Sequence, residues 1–387
     1  MARPTNAALP GPPDPWVPSS MPAFRSRPPY LMTEMIAAEP ALAERLVHRL
    51  AKDEALDALT KAIRDTAAAG APIMATGCGT SEHAAMGIGL LLTEALGLPA
   101  GRDVRAIPAL EASRRPMREG LLIAVSHEGG TRTTNDALAA AREAGARAAL
   151  ITVGGGSPGA AIAEIVVRTE EQDRSWCHTV GYLSPLVVGA LLAGRLTRTR
   201  PDAQAIRALL DVTNDARTAA SVAAGLTGVD RVITVGAGVD HVSARELALK
   251  IAEGARLPAA AHELETILHG HLAAATRWTG IVLVLTAAAA SAPAVADRAR
   301  RVLAAAEALS MPTAAIVADT LAGDIPDGAT SAGRIVLPHT GRVPATAGSL
   351  LGTAVALQLL TERLARARGV DPDTLGREDP AQAAAHG

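Results

Sequence analysis

The chain has 387 residues, 49% of them hydrophobic, which is enough for two globular domains that each bury a core. Its 37 basic and 39 acidic side chains are interspersed, so the charge pattern disfavours nucleic acid and anionic membranes as partners. Aromatic residues are scarce (one Phe, two Tyr and three Trp), which leaves little material for base stacking. A small-molecule partner fits this composition better.

The first thirty residues are dense in Pro and Ser and lack the apolar core of a signal peptide. We therefore predict a loose leader at residues 1–28. The two cysteines, Cys78 and Cys177, show neither metal-ligand spacing nor a disulfide framework, and each is interpreted as a small buried hydrophobe. Together these features favour a cytoplasmic location.

A strand, a Gly-rich turn and a helix occur twice, first around "PIMATGCGTSEHAAM" and again around "RVITVGAGVDHVSAR". Gly77 and Gly236 are 236 − 77 = 159 residues apart, and Ile123 and Val282 in the next strands keep the same spacing. Alternating strands and helices predict parallel sheets with helices on both faces, in a duplicated flavodoxin-like or Rossmann-like unit. We predict one domain at 29–205, a second at 206–366 and a tail at 367–387.

Several nucleotide and metal motifs are incomplete. In "GCGTSE" and "GAGVDH", Glu82 and His241 occupy the position of the third glycine of a dinucleotide fingerprint, which disfavours NAD. The stretch "GGGSPG" lacks the Gly-Lys-Ser/Thr of a P-loop, and "HELET" lacks the second His of a zinc protease. The sequence therefore predicts neither a metal site nor a cofactor.

The turn "SHEGGT" follows an apolar strand and precedes a helix. Ser126 and Thr131 supply hydroxyl groups, while Gly129 and Gly130 let backbone N–H groups turn inward at the start of the helix. This pattern indicates an anion-binding turn at the carboxyl end of a strand, where open α/β sheets bind their ligands.

Two features complicate this interpretation. Thr131, Thr133 or Thr134 could cap the helix, although capping requires neither Ser126 nor two glycines. Glu128 places a carboxylate within the turn, and it would repel a phosphate. Either Glu128 points away from the anion, or the ligand is unusual.

On the helix predicted after the second Gly-rich turn, Glu246, Lys250 and Glu253 fall at i, i+4 and i+7 and share one face. Taken alone, this pattern is typical of a solvated stripe. His269, which Gly270 follows near a predicted helix end, is more typical of a structural cap than of a catalyst.

Six motifs occur in order: "PPYLMTEMIAAEP", "GCGTSEHA", "AVSHEGGT", "ELALKIAEGARL", "LHGHLA" and "VALQLLTERLARARGVDPD". Together they resemble the SIS (sugar isomerase) family, most closely the tandem-domain isomerase half of glucosamine-6-phosphate synthase and its deaminase and isomerase relatives. The resemblance covers roughly Arg25 to Asp379. It implies an α/β fold of two tandem flavodoxin-like SIS domains, each a parallel sheet flanked by helices.

The resemblance also implies a substrate site for a sugar phosphate. The matching phosphate-binding positions are Gly79, Thr80, Ser81, Ser126, His127, Glu128, Gly129 and Thr131. His178 matches a Ser of the family's substrate-lining loop, although a buried structural histidine explains it equally well.

The family's catalytic positions fall in the second half of the chain. The resemblance implies that Glu253 moves a proton between C1 and C2, and that Lys250 and Glu246 orient and tune it. His269 would open the sugar ring from a second subunit, which implies a homodimer or higher oligomer with shared sites. No cofactor is implied.

Three departures from the family leave alternatives open, and the first is Glu128, which stands where the family has a second phosphate-binding Ser. No glutaminase domain is expected before the Pro-rich leader, so glutamine-dependent amino transfer is not expected. The synthase's imine-forming lysine has no counterpart, because only Arg377 lies nearby and a guanidinium does not form an imine. Of the reactions that the resemblance implies, isomerisation and the deamination of an aminosugar therefore remain. One alternative is that the protein is a sensor that binds a sugar phosphate without converting it. Another is that it is an isomerase whose substrate lacks the phosphate or bears an amine opposite Glu128.

Overall fold

The computed structural model describes residue 22, residues 24–286 and residues 293–385. Most of the predicted leader, 1–28, lies outside them. The chain divides into two compact units. The first is formed by residues 38–172 and 180–207, and the second by 173–179, by 208–385 and by the described part of 21–37. The domain limits set from the sequence stay a prediction.

The first unit contains a parallel five-stranded sheet of order β2-β1-β3-β4-β5. Its strands are β1 (Ile73–Gly77), β2 (Arg105–Pro108), β3 (Leu121–Val125), β4 (Arg147–Thr152) and β5 (Ile165–Arg168). Strand β3 is central, and all five of its residues are buried, as expected for an apolar run in a parallel sheet.

The described residues before position 200 form seven helices, of which α1 begins in the second unit. They are α1 (Leu31–Leu50), α2 (Glu54–Ala68), α3 (Thr80–Leu96), α4 (Ala109–Arg114), α5 (Arg132–Ala144), α6 (Pro158–Ile162) and α7 (Val180–Thr197). Among the described residues, α7 alone is long and apolar enough to cross a membrane, but 78% of it is buried. That burial is typical of a core helix.

The second unit contains a parallel five-stranded sheet of order β10-β9-β8-β6-β7. Its strands are β6 (Arg231–Gly236), β7 (Ala259–Glu263), β8 (Thr279–Leu285), β9 (Thr313–Ala318) and β10 (Gly333–Leu337). The later helices are α8 (Ala203–Thr213), α9 (Ala216–Leu226), α10 (Val239–Gly254), α11 (Pro293–Ala308), α12 (Asp319–Ala322), α13 (Ala345–Ala367) and α14 (Pro380–Ala385). The apolar core joins β6, β8 and β9 to α11.

The predicted duplication and fold class are confirmed, because the two sheets have the same strand order. Read from the other edge, the second sheet is β7-β6-β8-β9-β10, in which each strand corresponds to the strand at the same place in β2-β1-β3-β4-β5. The backbone repeats in detail as well. Gly79, which precedes α3, has φ 56° and ψ −126°, and Gly238, which precedes α10, has φ 55° and ψ −122°. Positive φ at these turns favours glycine, which explains why both copies carry it.

The second Gly-rich turn differs from the first in one buried carboxylate. Asp240 lies 240 − 81 = 159 residues after Ser81, at the equivalent position. Its oxygens accept hydrogen bonds from Thr286 N at 2.8 Å and Thr286 Oγ1 at 2.6 Å, and Thr286 Oγ1 lies 2.7 Å from Ser349 Oγ. The second turn thus carries a buried carboxyl group where the first carries a hydroxyl.

The buried Asp240 makes stability depend on pH. Burial raises the pKa of Asp240 to about 7, although the Thr286 hydrogen bonds oppose the shift. Between the ordinary carboxyl pKa and 7, the unfolded chain loses this proton while the folded chain keeps it, so the free energy of unfolding falls as pH rises. The free energy of unfolding of wild type should therefore fall between pH 4 and pH 7.5 by roughly 2–4 kcal/mol more than that of Asp240→Asn. The measurement is urea unfolding of both proteins at each pH.

The matched control is Asp319→Asn, which removes an exposed carboxylate from the same unit and should track wild type across this range. Parallel stability curves for wild type and Asp240→Asn would contradict the prediction.

Candidate functional site

The turn between β3 and α5 is held by hydrogen bonds to its own carbonyl groups. The carbonyl of His127 accepts from Val153 N at 2.8 Å and from Thr152 Oγ1 at 3.0 Å. The carbonyl of Gly129 accepts from Gly159 N at 3.0 Å. These bonds attach the turn to the segments that follow β4 and begin α6, so its backbone conformation is fixed before any ligand arrives.

The fixed carbonyls set the direction of the neighbouring N–H groups. In a planar trans peptide the C=O and the following N–H point in opposite directions, so the N–H groups of Glu128 and Gly130 face away from the bonded carbonyls. Gly129 between them has φ +73°, and a Cβ there would lie 2.1 Å from Ser157 Oγ. Successive N–H groups around a left-handed residue form a concavity that binds anions.

Two hydroxyl groups flank this concavity. Ser126 is buried at the end of β3, and its Oγ lies 3.5 Å from Thr131 Oγ1. Thr131 is the N-cap of α5 but makes no side-chain capping hydrogen bond. Of the three threonines considered as caps, Thr131 takes the N-cap position, but its hydroxyl accepts from Ser126 and does not cap the first turn.

The Gly-rich turn between β1 and α3 lies beside this loop, because β1 and β3 are neighbours in the sheet. Gly79 precedes α3, and Thr80 and Ser81 are buried in its first turn. Cys78 Sγ lies 3.6 Å from Thr134 Oγ1 in α5, which joins the two turns directly. Cys78 is exposed, so its interpretation as a buried hydrophobe is wrong. The first unit thus brings the predicted anion-binding residues to one edge of its sheet.

Glu128 has a partner within the first unit. Gln172 Nε2 donates a hydrogen bond to Glu128 Oε1 at 2.6 Å, and both side chains are half-buried. The carboxylate is therefore held by an amide. Sequence reasoning missed Gln172, because no motif or spacing connects it to the loop 44 residues earlier.

In the second unit, α10 carries the predicted titratable residues on a buried face. Lys250 Nζ lies 2.6 Å from Glu253 Oε2 and 3.7 Å from Glu246 Oε1. The side chains of Lys250 and Glu246 are fully buried, whereas that of Glu253 is 25% exposed. The interpretation as a solvated stripe is therefore wrong, and Glu253 is the one member of the cluster that reaches the surface of its unit.

The cluster holds Lys250 in its charged form. Burial disfavours the ammonium, but the nearby Glu253 and Glu246 outweigh burial and raise the pKa of Lys250 above its usual value. Cys177 Sγ lies 4.0 Å from the carbonyl of Lys250, and burial raises the pKa of its thiol. Cys177 is therefore a neutral buried group, as expected, and Lys250 is a buried positive charge.

The two candidate histidines of the second unit lie in different surroundings. His178 is half-buried in the segment 173–179. His269 follows a short 3-10 helix, precedes Gly270 with φ +97°, and is 70% exposed. Its Nε2 lies 2.8 Å from Glu265 Oε1, so a carboxylate orients the exposed ring.

Comparison with known proteins agrees with this architecture. Residues 70–194 match the family model described as the SIS domain. No match was found among curated protein sequences.

Three solved structures illustrate the similarity of the whole chain. The C-terminal domain of glucosamine-fructose-6-phosphate aminotransferase from Francisella tularensis is 19% identical, with a TM-score of 0.74 over 91% of this chain and 100% of that one. Tagatose-6-phosphate ketose/aldose isomerase from Escherichia coli is 19% identical, with a TM-score of 0.70 over 92% and 97%. Glucosamine-6-phosphate deaminase from Thermotoga maritima is 17% identical, with a TM-score of 0.65 over 89% and 96%.

At these identities the solved structures establish the fold, and the match to the SIS domain model is confined to residues 70–194. The second unit repeats the topology of the first. Residues 70–194 therefore match a SIS domain, and the second unit has the same sheet topology.

Proposed function

We propose that this protein is an aldose–ketose isomerase or deaminase of a sugar phosphate or aminosugar phosphate, acting without a cofactor by proton transfer between C1 and C2. The observation that carries the proposal is the buried cluster on α10, in which Lys250 and Glu246 are enclosed and Glu253 is partly exposed. The isomerase and deaminase activities named for the solved structures above agree with this reaction class.

A buried cluster of three charged side chains is not needed to stabilise the folded protein. Burying charged groups costs several kcal/mol for each ion, and apolar residues of similar size commonly do as well or better. A perturbed, buried titratable group with one partly exposed partner is instead typical of a functional site. The cluster therefore favours an enzyme over a protein that binds sugar phosphates without turnover.

The proton transfer needs one carboxylate placed over two adjacent carbons. We assign this role to Glu253, which takes the proton from C2 of the open-chain aldose while the carbonyl oxygen at C1 gains a proton. The resulting cis-enediol accepts the proton at C1 as the hydroxyl at C2 becomes the ketone. Lys250, held between two carboxylates, would fix the orientation of Glu253.

Phosphate binding is assigned to the loop 126–131 with Thr80 and Ser81. The inward N–H groups and the hydroxyls of Ser126 and Thr131 supply hydrogen-bond donors without a cation. The three proteins compared above are named for 6-phosphates of hexoses or hexosamines, which supports a substrate of that class.

Removing the base should separate binding from chemistry. We expect Glu253→Gln to keep the fold and to lower exchange of the C1 or C2 proton with solvent by at least about 100-fold, because amides are poor bases. The measurement is NMR of tagatose 6-phosphate and glucosamine 6-phosphate in D2O, following deuterium incorporation together with the aldose and ketose signals.

The matched control is Glu307→Gln on the exposed surface of α11, which should exchange like wild type. Unchanged exchange in Glu253→Gln would contradict its role as the base. Binding without any conversion by wild type, across a panel of hexose and hexosamine 6-phosphates, would favour the sensor alternative.

We also propose a homodimer in which His269 contributes to a neighbouring subunit's site. Its exposed ring, oriented by Glu265, supports a contact outside its own chain. If sites are shared, mixing equal amounts of inactive Glu253→Gln and His269→Ala chains should restore about a quarter of wild-type activity. Random pairing makes half of the dimers hybrids, and each hybrid has one intact site of two.

The measurement is turnover after the two variants are unfolded together and refolded, compared with each variant refolded alone. Activity that stays at the level of the separate variants, in dimers verified by light scattering, would show that His269 does not act across an interface.

A further inference from the structure

We infer that Gln172 is a positioning residue that holds the Glu128 carboxylate off the anion-binding face of the loop 126–131, so that the loop accepts a phosphate rather than a cationic group. The inference rests on the proposed function, since it concerns the same loop. It assigns a role to a residue that belongs to no motif, and it narrows the ligand class at this loop to an anion.

The backbone of the loop cannot move Glu128 aside, because its carbonyls at His127 and Gly129 are already bonded. Its φ-positive glycine is also packed against Ser157. Only rotation of the Glu128 side chain can separate its charge from an anion held by the loop N–H groups. The 2.6 Å hydrogen bond from Gln172 Nε2 fixes that rotation.

Gln172 is itself held in place. Its segment follows β5, where Thr169 N donates to the carbonyl of Thr152 at 2.8 Å. Arg45 then pairs with Glu170 at 2.8 Å and with Glu171 at 3.2 Å, so the residues immediately before Gln172 are anchored to α1. An amide presented from an anchored segment can restrain a neighbouring carboxylate at little further entropic cost.

The charge argument explains why this restraint matters. A carboxylate free to approach a bound phosphate would repel it, and the repulsion grows as the distance shortens. An amide donor leaves the charge on Glu128 but fixes where it lies. The loop can then keep Glu128 and still bind an anion, whereas a ligand ammonium would have to share the carboxylate with the amide of Gln172.

The test is a double-mutant cycle on the full-length protein with inorganic phosphate as the probe. Gln172→Met keeps the side-chain volume and removes the donor, and we expect it to weaken phosphate binding about tenfold, more strongly at low salt. Glu128→Gln in the same chain should restore affinity to within about twofold of wild type, because no charge is left to restrain. Affinities are measured by calorimetry, and folding by thermal unfolding.

The matched control is Glu164→Gln, which removes a carboxylate paired with Arg147 at 3.3 Å elsewhere in the first unit. It should leave phosphate affinity unchanged. Glucose 6-phosphate and glucosamine 6-phosphate, which differ only in the amine, form a second probe pair, and Glu128→Gln should affect both equally.

Unchanged phosphate affinity in folded Gln172→Met would overturn the inference. So would a loss in Glu128→Gln that is specific to glucosamine 6-phosphate, since Glu128 would then contact the amine. Phosphate binding with the expected coupling but without isomerisation or deamination would support the role of Gln172 while rejecting the proposed catalysis. Phosphate binding by neither wild type nor Glu128→Gln would reject both.

Discussion

The ammonium of Lys250 is the charge on which the functional interpretation depends. It is fully buried, yet it stays protonated because Glu246 and Glu253 surround it on the same helix. A single rigid element therefore sets all three positions, and the helix period of 3.6 residues places them on one face. Since two of the three are enclosed, any ligand that meets this cluster meets Glu253. That constraint turns a common charge pattern into a specific assignment of the base.

The loop 126–131, to which we assign phosphate binding, would recognise its ligand by a different physical route. It uses peptide planarity, because carbonyls bonded on one side leave N–H groups facing the other. Hydroxyls of Ser126 and Thr131 complete the donors without a cation. A loop of this kind recognises charge and shape rather than sequence-specific groups, so the side chains around it decide which anions enter. Glu128 and Gln172 are the pair with the greatest influence on that choice.

Sequence patterns predicted the strands, the parallel sheets and the duplication, because buried apolar runs and repeated glycines reflect local backbone requirements. They failed where the answer depended on tertiary surroundings. The spacing of Glu246, Lys250 and Glu253 is identical on a buried and on a solvated helix face, and burial decided between them. Cys78 likewise became exposed because its turn lies at the edge of the sheet. Gln172 could not be found at all, since its contact spans 44 residues.

Duplication followed by divergence accounts for the distribution of chemistry between the two units. At the 159-residue offset, Glu246 and Lys250 of α10 correspond to Gly87 and Leu91 of α3, which are buried and uncharged. Conversely, Ser81 of the first turn corresponds to Asp240, whose carboxylate already accepts the Thr286 donors. The first copy thus keeps the hydroxyl-lined anion turns and has no buried ammonium on this helix. The second copy carries the titratable helix and has the buried carboxyl group of Asp240 in its own turn. Because the two sheets share one topology, the proposed division between phosphate binding and proton transfer depends on side chains. The carboxylate equivalent to Glu253 is Glu94, since 253 − 159 = 94, but no ammonium stands beside it on α3.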